Sequence, residues 1–165
     1  MRKNKKRNHQ KHPVPNHKYK DRLFRLVFNN KRDLLDLYNA LNNTCYENPN
    51  DLEVNTLEDA VYLSMKNDIS FLIGGTLNLY EHQSTYNPNM PLRGLIYLAR
   101  LYDGYVETEN INLYSSTLKK LPIPQYFVFY NGTKAQPDET ILRLTDAFES
   151  VSDNRQPCLQ CTAVM

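Results

Sequence analysis

The stretch Asn67 to Thr85, NDISFLIGGTLNLYEHQST, constrains this chain more than any other. Two strand-like runs, Ile69 to Ile73 and Thr76 to His82, flank Gly74-Gly75. Two glycines between such runs are a strong signal for a two-residue turn with positive φ at both central positions. That turn fixes the register. Ile73 then faces Thr76, Leu72 faces Leu77, Ser70 faces Leu79 and Asp68 faces Glu81. Opposed residues point to the same side of a sheet, so the two acids stand together with Cβ atoms roughly 4.5–5.5 Å apart. Gln83 lies two residues beyond Glu81 and shares its face.

Two like charges in that position destabilise a hairpin. Partly buried, they share a proton or bind a cation. Oxygen-only ligands completed by water suit Mg²⁺, which commonly takes one or two carboxylates plus substrate phosphate. Such a metal lowers the pKa of a bound water and neutralises charge building on a phosphoryl oxygen. The plainer alternative is a pair of solvated acids at a sheet rim.

The rest of the chain supplies a frame for that hairpin. Its 165 residues predict one domain able to bury a core without staples. Asp21 to Asn42 shows helical apolar spacing (Leu23, Phe24, Val27, Phe28, then Leu34, Leu35, Tyr38, Leu41), interrupted at NNKRD as if by two short helices. Residues 43–50 read as a loop, and DLEVNTLEDAVYLSMKN is ambiguous, its first half alternating like a strand and TLEDAV readable as a short helical turn. After the hairpin, Asn89 and Pro91 mark a helix start, with Leu92, Leu95, Ala99, Tyr102 and Val106 as its predicted apolar stripe. Gln125 to Gly132 predicts a strand, PDETILRLTDAF a short helix, and CLQCTAV a final strand.

Charge divides the chain unevenly. Residues 1–20 hold eight of the twenty Lys and Arg and no acid, leaving twelve bases against eighteen acids, a net of about −6, in the remainder. Residues 1–18 therefore predict a disordered basic tail, and 19–165 the folded domain. Such a tail adds nucleic-acid affinity by neutralising phosphates, or is simply solvated. No apolar run is long enough for a bilayer and no secretory h-region is present. Three Cys (Cys45, Cys158, Cys161) make no disulfide framework, which fits the reducing cytoplasm.

The acid, the hairpin and the following Glu-His-Gln together resemble the PD-(D/E)XK nuclease superfamily. Within it, the likeness is to the bacterial recombination-promoting nuclease and putative transposase group. KDRLFRLVFNNKRDLLDLYNAL resembles that group's first helix, PLRGLIYLARLYDGYV its next helix and LPIPQYFVFYNG the following strand, over roughly Lys20 to Phe148. The resemblance implies an α/β, restriction-endonuclease-like fold, a mixed central sheet flanked by helices. It implies metal-dependent hydrolysis of DNA phosphodiesters, linked to recombination or transposition. Asp68 and Glu81 match the metal-binding acids for Mg²⁺ or Mn²⁺, with the His82 backbone carbonyl a further ligand. Gln83 matches the motif's last position, and Asp21 an accessory acid on the first helix. Cutting both strands would call for two sites, hence a homodimer.

Two departures bear on activity. Gln83 stands where much of the superfamily has Lys, so it orients water or phosphate by hydrogen bonds without supplying charge. The final strand also reads as shortened against relatives that continue past it. Arg93, Tyr97 and Arg100, at i, i+4 and i+7, predict a phosphate-holding stripe beside the acids, or a solvated polar face. Tyr80, Tyr86 and Tyr97 are candidates for stacking on DNA or for ordinary packing. The His82 side chain points away from Glu81. Cys158 and Cys161 lack a partner pair for zinc. Besides the endonuclease, the sequence allows an inactive, nuclease-derived domain that binds nucleic acid or protein.

Overall fold

The computed structural model describes Phe24, Phe28 and residues 30–55, 68–149 and 157–165. The basic tail and Asp21 lie outside the described residues.

Helix α1, Lys31–Asn42, starts where the NNKRD interruption falls. Asn30 is its N-cap, and the Asn30 side chain accepts the Arg32 N–H at 2.9 Å, satisfying a donor that the helix itself leaves open. Asn43 ends it in the left-handed conformation, φ 51°. Three antiparallel strands follow, β1 (Glu53–Val54), β2 (Ile69–Ile73) and β3 (Thr76–Gln83). Gly74 and Gly75 have φ of 56° and 79°, as a primed turn requires, and a Cβ at Gly74 would overlap the Tyr46 hydroxyl. The ladder has the register read from sequence, Ile73↔Thr76 through Ile69↔Tyr80.

Helix α2, Met90–Thr108, carries the chain over the sheet so that β4 (Ile123–Tyr130) lies parallel to β3. Strands β5 (Ile141–Arg143) and β6 (Thr162–Val164) complete a six-stranded mixed sheet in the order β1-β2-β3-β4-β6-β5. The protein is thus mixed α/β, its sheet flanked by helices. No helix among the described residues is long and apolar enough to cross a membrane.

Strand β3 sits between the two helix layers and is buried at six successive positions, Leu77 to His82. Alternation sends Leu77 and Leu79 to the α2 side, against Tyr97, Leu98, Leu101, Tyr126 and Val128. It sends Tyr80 to the α1 side, with Leu34, Leu35, Tyr38 and Phe71. Each of these large apolar side chains contributes about 1.5–3 kcal/mol by leaving water.

Two expectations are corrected. Helix α2 buries Met90, Gly94, Tyr97, Leu98 and Leu101, whereas Leu92 is 46% exposed and Ala99 is exposed. The reading from Leu92 and Ala99 missed Gly94, which lets the helix approach so closely that a Cβ there would overlap the Tyr126 ring. The segment TILRLTDAF is not one short helix. It forms β5 and a 3₁₀ turn, Leu144–Ala147, because Ile141, Leu142 and Arg143 pair with the distant β6.

Candidate active site

The hairpin ladder stops at Ile69↔Tyr80, one step short of the two acids. Past that point side chains take over from backbone. Asp68 Oδ2 accepts the His82 N–H at 2.8 Å, and the Asp68 N–H donates to Glu81 Oε1 at 3.2 Å. Asp68 and Glu81 are therefore in direct contact at the open end of the hairpin. The contact runs from the Asp68 backbone N–H to the Glu81 carboxylate, while the Asp68 carboxylate turns to the backbone N–H of the next residue along, His82.

Glu81 is 1% exposed. A carboxylate taken out of water costs several kcal/mol unless it is paired and hydrogen-bonded. Its second oxygen, Oε2, accepts from Arg93 Nη2 at 3.0 Å in an ion pair. Arg93 comes from the first turns of α2. Nη2 also donates to the Tyr97 hydroxyl at 3.2 Å, and the guanidinium lies 5.7 Å from the Tyr97 ring centroid. Burial by itself would lower the Arg93 pKa. The Tyr97 hydroxyl and the Glu81 carboxylate outweigh that and hold it above its ordinary value. The neighbouring Tyr126 hydroxyl is raised, by burial first and by Glu81 next. It is buried with no hydrogen-bond partner among the described residues.

The remaining predicted residues fall around this pair. Gln83, half-buried, ends β3 on the Glu81 side by alternation, and its carbonyl accepts the Asn131 N–H at 3.1 Å. The His82 side chain goes to the opposite side, its ring centroid 5.5 Å from that of Phe24. The stripe of Arg93, Tyr97 and Arg100 is not an open phosphate-facing surface. Arg93 is turned onto Glu81, Tyr97 is 2% exposed in the core, and Arg100 is half-buried. Tyr80 is fully buried among Phe71, Phe127 and Phe129 and offers no ring face to a base. Tyr86 packs partly buried against the α2-side core. All three cysteines are free.

Sequence reasoning missed the Glu81–Arg93 pair. The i, i+4 spacing of Arg93 and Tyr97 was visible, but the crossing of α2 over the end of β3 is set by nonlocal packing at Gly94 and Tyr126.

As to a metal, no group of three or more His, Cys, Asp or Glu among the described residues is placed to hold one. Asp68 and Glu81 bring two carboxylates to the same end of the hairpin, a donor chemistry that fits Mg²⁺ or Mn²⁺ when water and phosphate complete the shell. The fit carries one condition, that Glu81 Oε2 be shared with or released by Arg93.

No protein-family model matches the chain, and no curated protein or solved structure matches it.

Proposed function

We propose that this domain is a metal-dependent DNA endonuclease of the PD-(D/E)XK kind, its mixed sheet serving as a restriction-endonuclease-like core. The supporting observation is the contact between Asp68 and a 1% exposed Glu81 at the hairpin end. A carboxylate buried beside the core and next to a second acid is costly for folding even when it is paired. Local rules broken at such cost mark functional sites.

In this reading Asp68 and Glu81 hold Mg²⁺ or Mn²⁺, with the His82 carbonyl as a further oxygen donor. When bound, the metal lowers the pKa of the attacking water and neutralises charge on the phosphoryl oxygen. Gln83 orients that water or a phosphate oxygen through its amide. Arg93 pairs with Glu81 and places positive charge beside the position of the phosphate. Asp21 is an accessory acid, and the basic tail adds affinity for DNA. The link to recombination or transposition, a homodimer that cuts both strands, and a cytoplasmic setting rest on the sequence resemblance and composition alone.

One observation favours a second reading. Both Glu81 oxygens already have partners, Asp68 N–H and Arg93. In that case the ion pair has taken the metal's place, and the domain binds nucleic acid or protein without cutting.

Calorimetric titration with Mg²⁺ and plasmid cleavage with and without chelator separate the two. The endonuclease predicts metal binding and chelator-sensitive cleavage. Asp68→Asn keeps an acceptor for the His82 N–H, so stability should hold within about 0.5 kcal/mol. Cleavage should fall about a thousandfold, since a lost electrostatic contact at the reacting phosphate is worth roughly 3–4 kcal/mol. Equal cleavage by Asp68→Asn would refute the assignment, and a parent that neither binds metal nor cuts would leave the second reading.

A further inference from the structure

The end of β4 and the loop after it line a cavity with its own chemistry. The parallel register sets Glu81 opposite Val128 and Gln83 opposite Tyr130. The chain then leaves β4 and folds back over the strand end. The Tyr130 hydroxyl donates to the Lys134 carbonyl at 3.0 Å, and its ring lies so close to Gly132 that any Cβ there would overlap it. Between this braced loop and the strand ends is an open cavity of about 470 Å³. That volume lies within the ~300–1,000 Å³ usual for small-molecule sites. The place is the carboxyl end of two adjacent parallel strands, where open α/β sheets commonly take ligands.

We propose that this cavity is a nucleotide subsite, seating the deoxyribonucleotide next to the phosphate addressed by Asp68 and Glu81. The proposal rests on the nuclease reading and extends it. Val128 and Met165 give an apolar floor, and Tyr130 a ring wall for a base to lie against. Lys134 brings a mobile point charge for one phosphate. Gln136 and Asp138 bring an amide and a carboxylate that hydrogen-bond a base edge or sugar hydroxyl. One cation balanced by one anion suits a single phosphate with its nucleoside, rather than a polyphosphate. The Lys134 side chain is exposed while its carbonyl braces the loop, so side-chain substitution leaves the cavity's shape intact.

The test is titration of the full chain with thymidine 5′-monophosphate in EDTA, followed by amide NMR. Saturable shifts are expected at Gly132, Lys134 and Gln136. Lys134→Glu should weaken binding about tenfold, the scale of one charge-assisted hydrogen bond, and Lys134→Arg should retain it. Inorganic phosphate and thymidine should each bind more weakly than the nucleotide. Silence at these amides, unchanged affinity in Lys134→Glu, or phosphate binding as tightly as the nucleotide would overturn the subsite. Because chelator is present, the outcome is independent of metal chemistry. A parent that cuts plasmid with Mg²⁺ yet ignores the nucleotide loses only the subsite. A parent that binds the nucleotide through Lys134 but neither binds Mg²⁺ nor cuts loses only the nuclease reading.

Discussion

Strand β3 is buried on both sides, yet the two sides solve burial differently. Toward α2 it shows Leu77 and Leu79, packed on Leu98 and Leu101, and then changes abruptly to Glu81, held by Arg93. Toward α1 it shows Thr76, Asn78, Tyr80 and His82, a polar and aromatic series threaded between rings. There the polar atoms are dispersed. Thr76 Oγ1 donates to the Ile73 carbonyl at 2.7 Å and accepts from Asn78 Nδ2 at 3.0 Å, with the Tyr38 hydroxyl 3.3 Å away. The difference teaches where the chain concentrates electrostatic cost. On the α1 side polarity is spread along the strand. On the α2 side it is charged, confined to the hairpin end and surrounded by an otherwise apolar core.

The largest expected effect breaks that asymmetry directly. Arg93→Met leaves Glu81 buried without its cation. Removing one partner of a buried ion pair costs about 3–5 kcal/mol, and the 29% exposure of the Arg93 side chain argues for the low end, about 3 kcal/mol. Glu81→Gln keeps an acceptor for Asp68 N–H and frees Arg93 toward solvent, so its loss should be smaller, about 1 kcal/mol. On the other side, Thr76→Val removes the hydroxyl shared by Tyr38 and Asn78. Its expected cost is about 1–2 kcal/mol, that of stranding neutral polar groups. Urea denaturation of the three variants gives the ranking. If Thr76→Val costs more than Arg93→Met, the charged end is not where the strain is concentrated.

Helix α2 permits a finer contrast between its own two faces. Gly94 abuts Tyr126, whereas a Cβ at Gly104 meets nothing within 4 Å. Gly94→Ala should overpack the face that positions Arg93 and cost about 1–3 kcal/mol. Gly104→Ala, on the exposed side, should stabilise by about 0.4–1 kcal/mol through a less flexible unfolded chain and better helix propensity. Thermal melts of the two variants should move in opposite directions. A matched loss in both would mean that the helix is not seated through Gly94.

These contrasts also explain what the sequence could disclose. The register from Ile73↔Thr76 to Ile69↔Tyr80 was legible because Gly74-Gly75 and strict alternation are local signals. So was the start of α1, from the interruption at Asn30. The face of α2 was not, since Gly94 has no side chain to register in an apolar pattern and Tyr97 reads as readily polar as apolar. Strand β5 was missed because its pairing partner β6 lies far along the chain. The Asp68–Glu81 adjacency followed from the turn, but its mediation by the Asp68 and His82 N–H groups did not, because it begins where the ladder ends. The Glu81–Arg93 pair needed the crossing of a helix over a strand, which no spacing rule reports.

The smallest expected effects concern two tyrosines, one on each side of the strand layer. Tyr80, on the α1 side, and Tyr126, on the α2 side, are both buried with hydroxyls that have no partner among the described residues. Both pKa values are raised from 10.0, by burial first, then by Tyr38 for Tyr80 and by Glu81 for Tyr126. In both states each ring is protonated below pH 10, so neither affects the pH dependence of stability there. Above it the unfolded chain releases these protons while the fold retains them. Unfolding is then coupled to proton release, and stability falls as pH rises from about 10 toward the raised folded values. Each tyrosine contributes a slope of at most about 1.4 kcal/mol per pH unit. Phe at either position removes its share, so at pH 11 each variant should gain about 1 kcal/mol on the parent, beyond its difference at pH 8. At pH 8 both substitutions should be within about 1 kcal/mol of neutral, since they delete a buried hydroxyl without a partner. Urea midpoints of the parent and both single variants at pH 8 and pH 11 measure this. An equal loss of stability between the two pH values in parent and variants would show that these hydroxyls ionise as readily in the fold as in the unfolded chain.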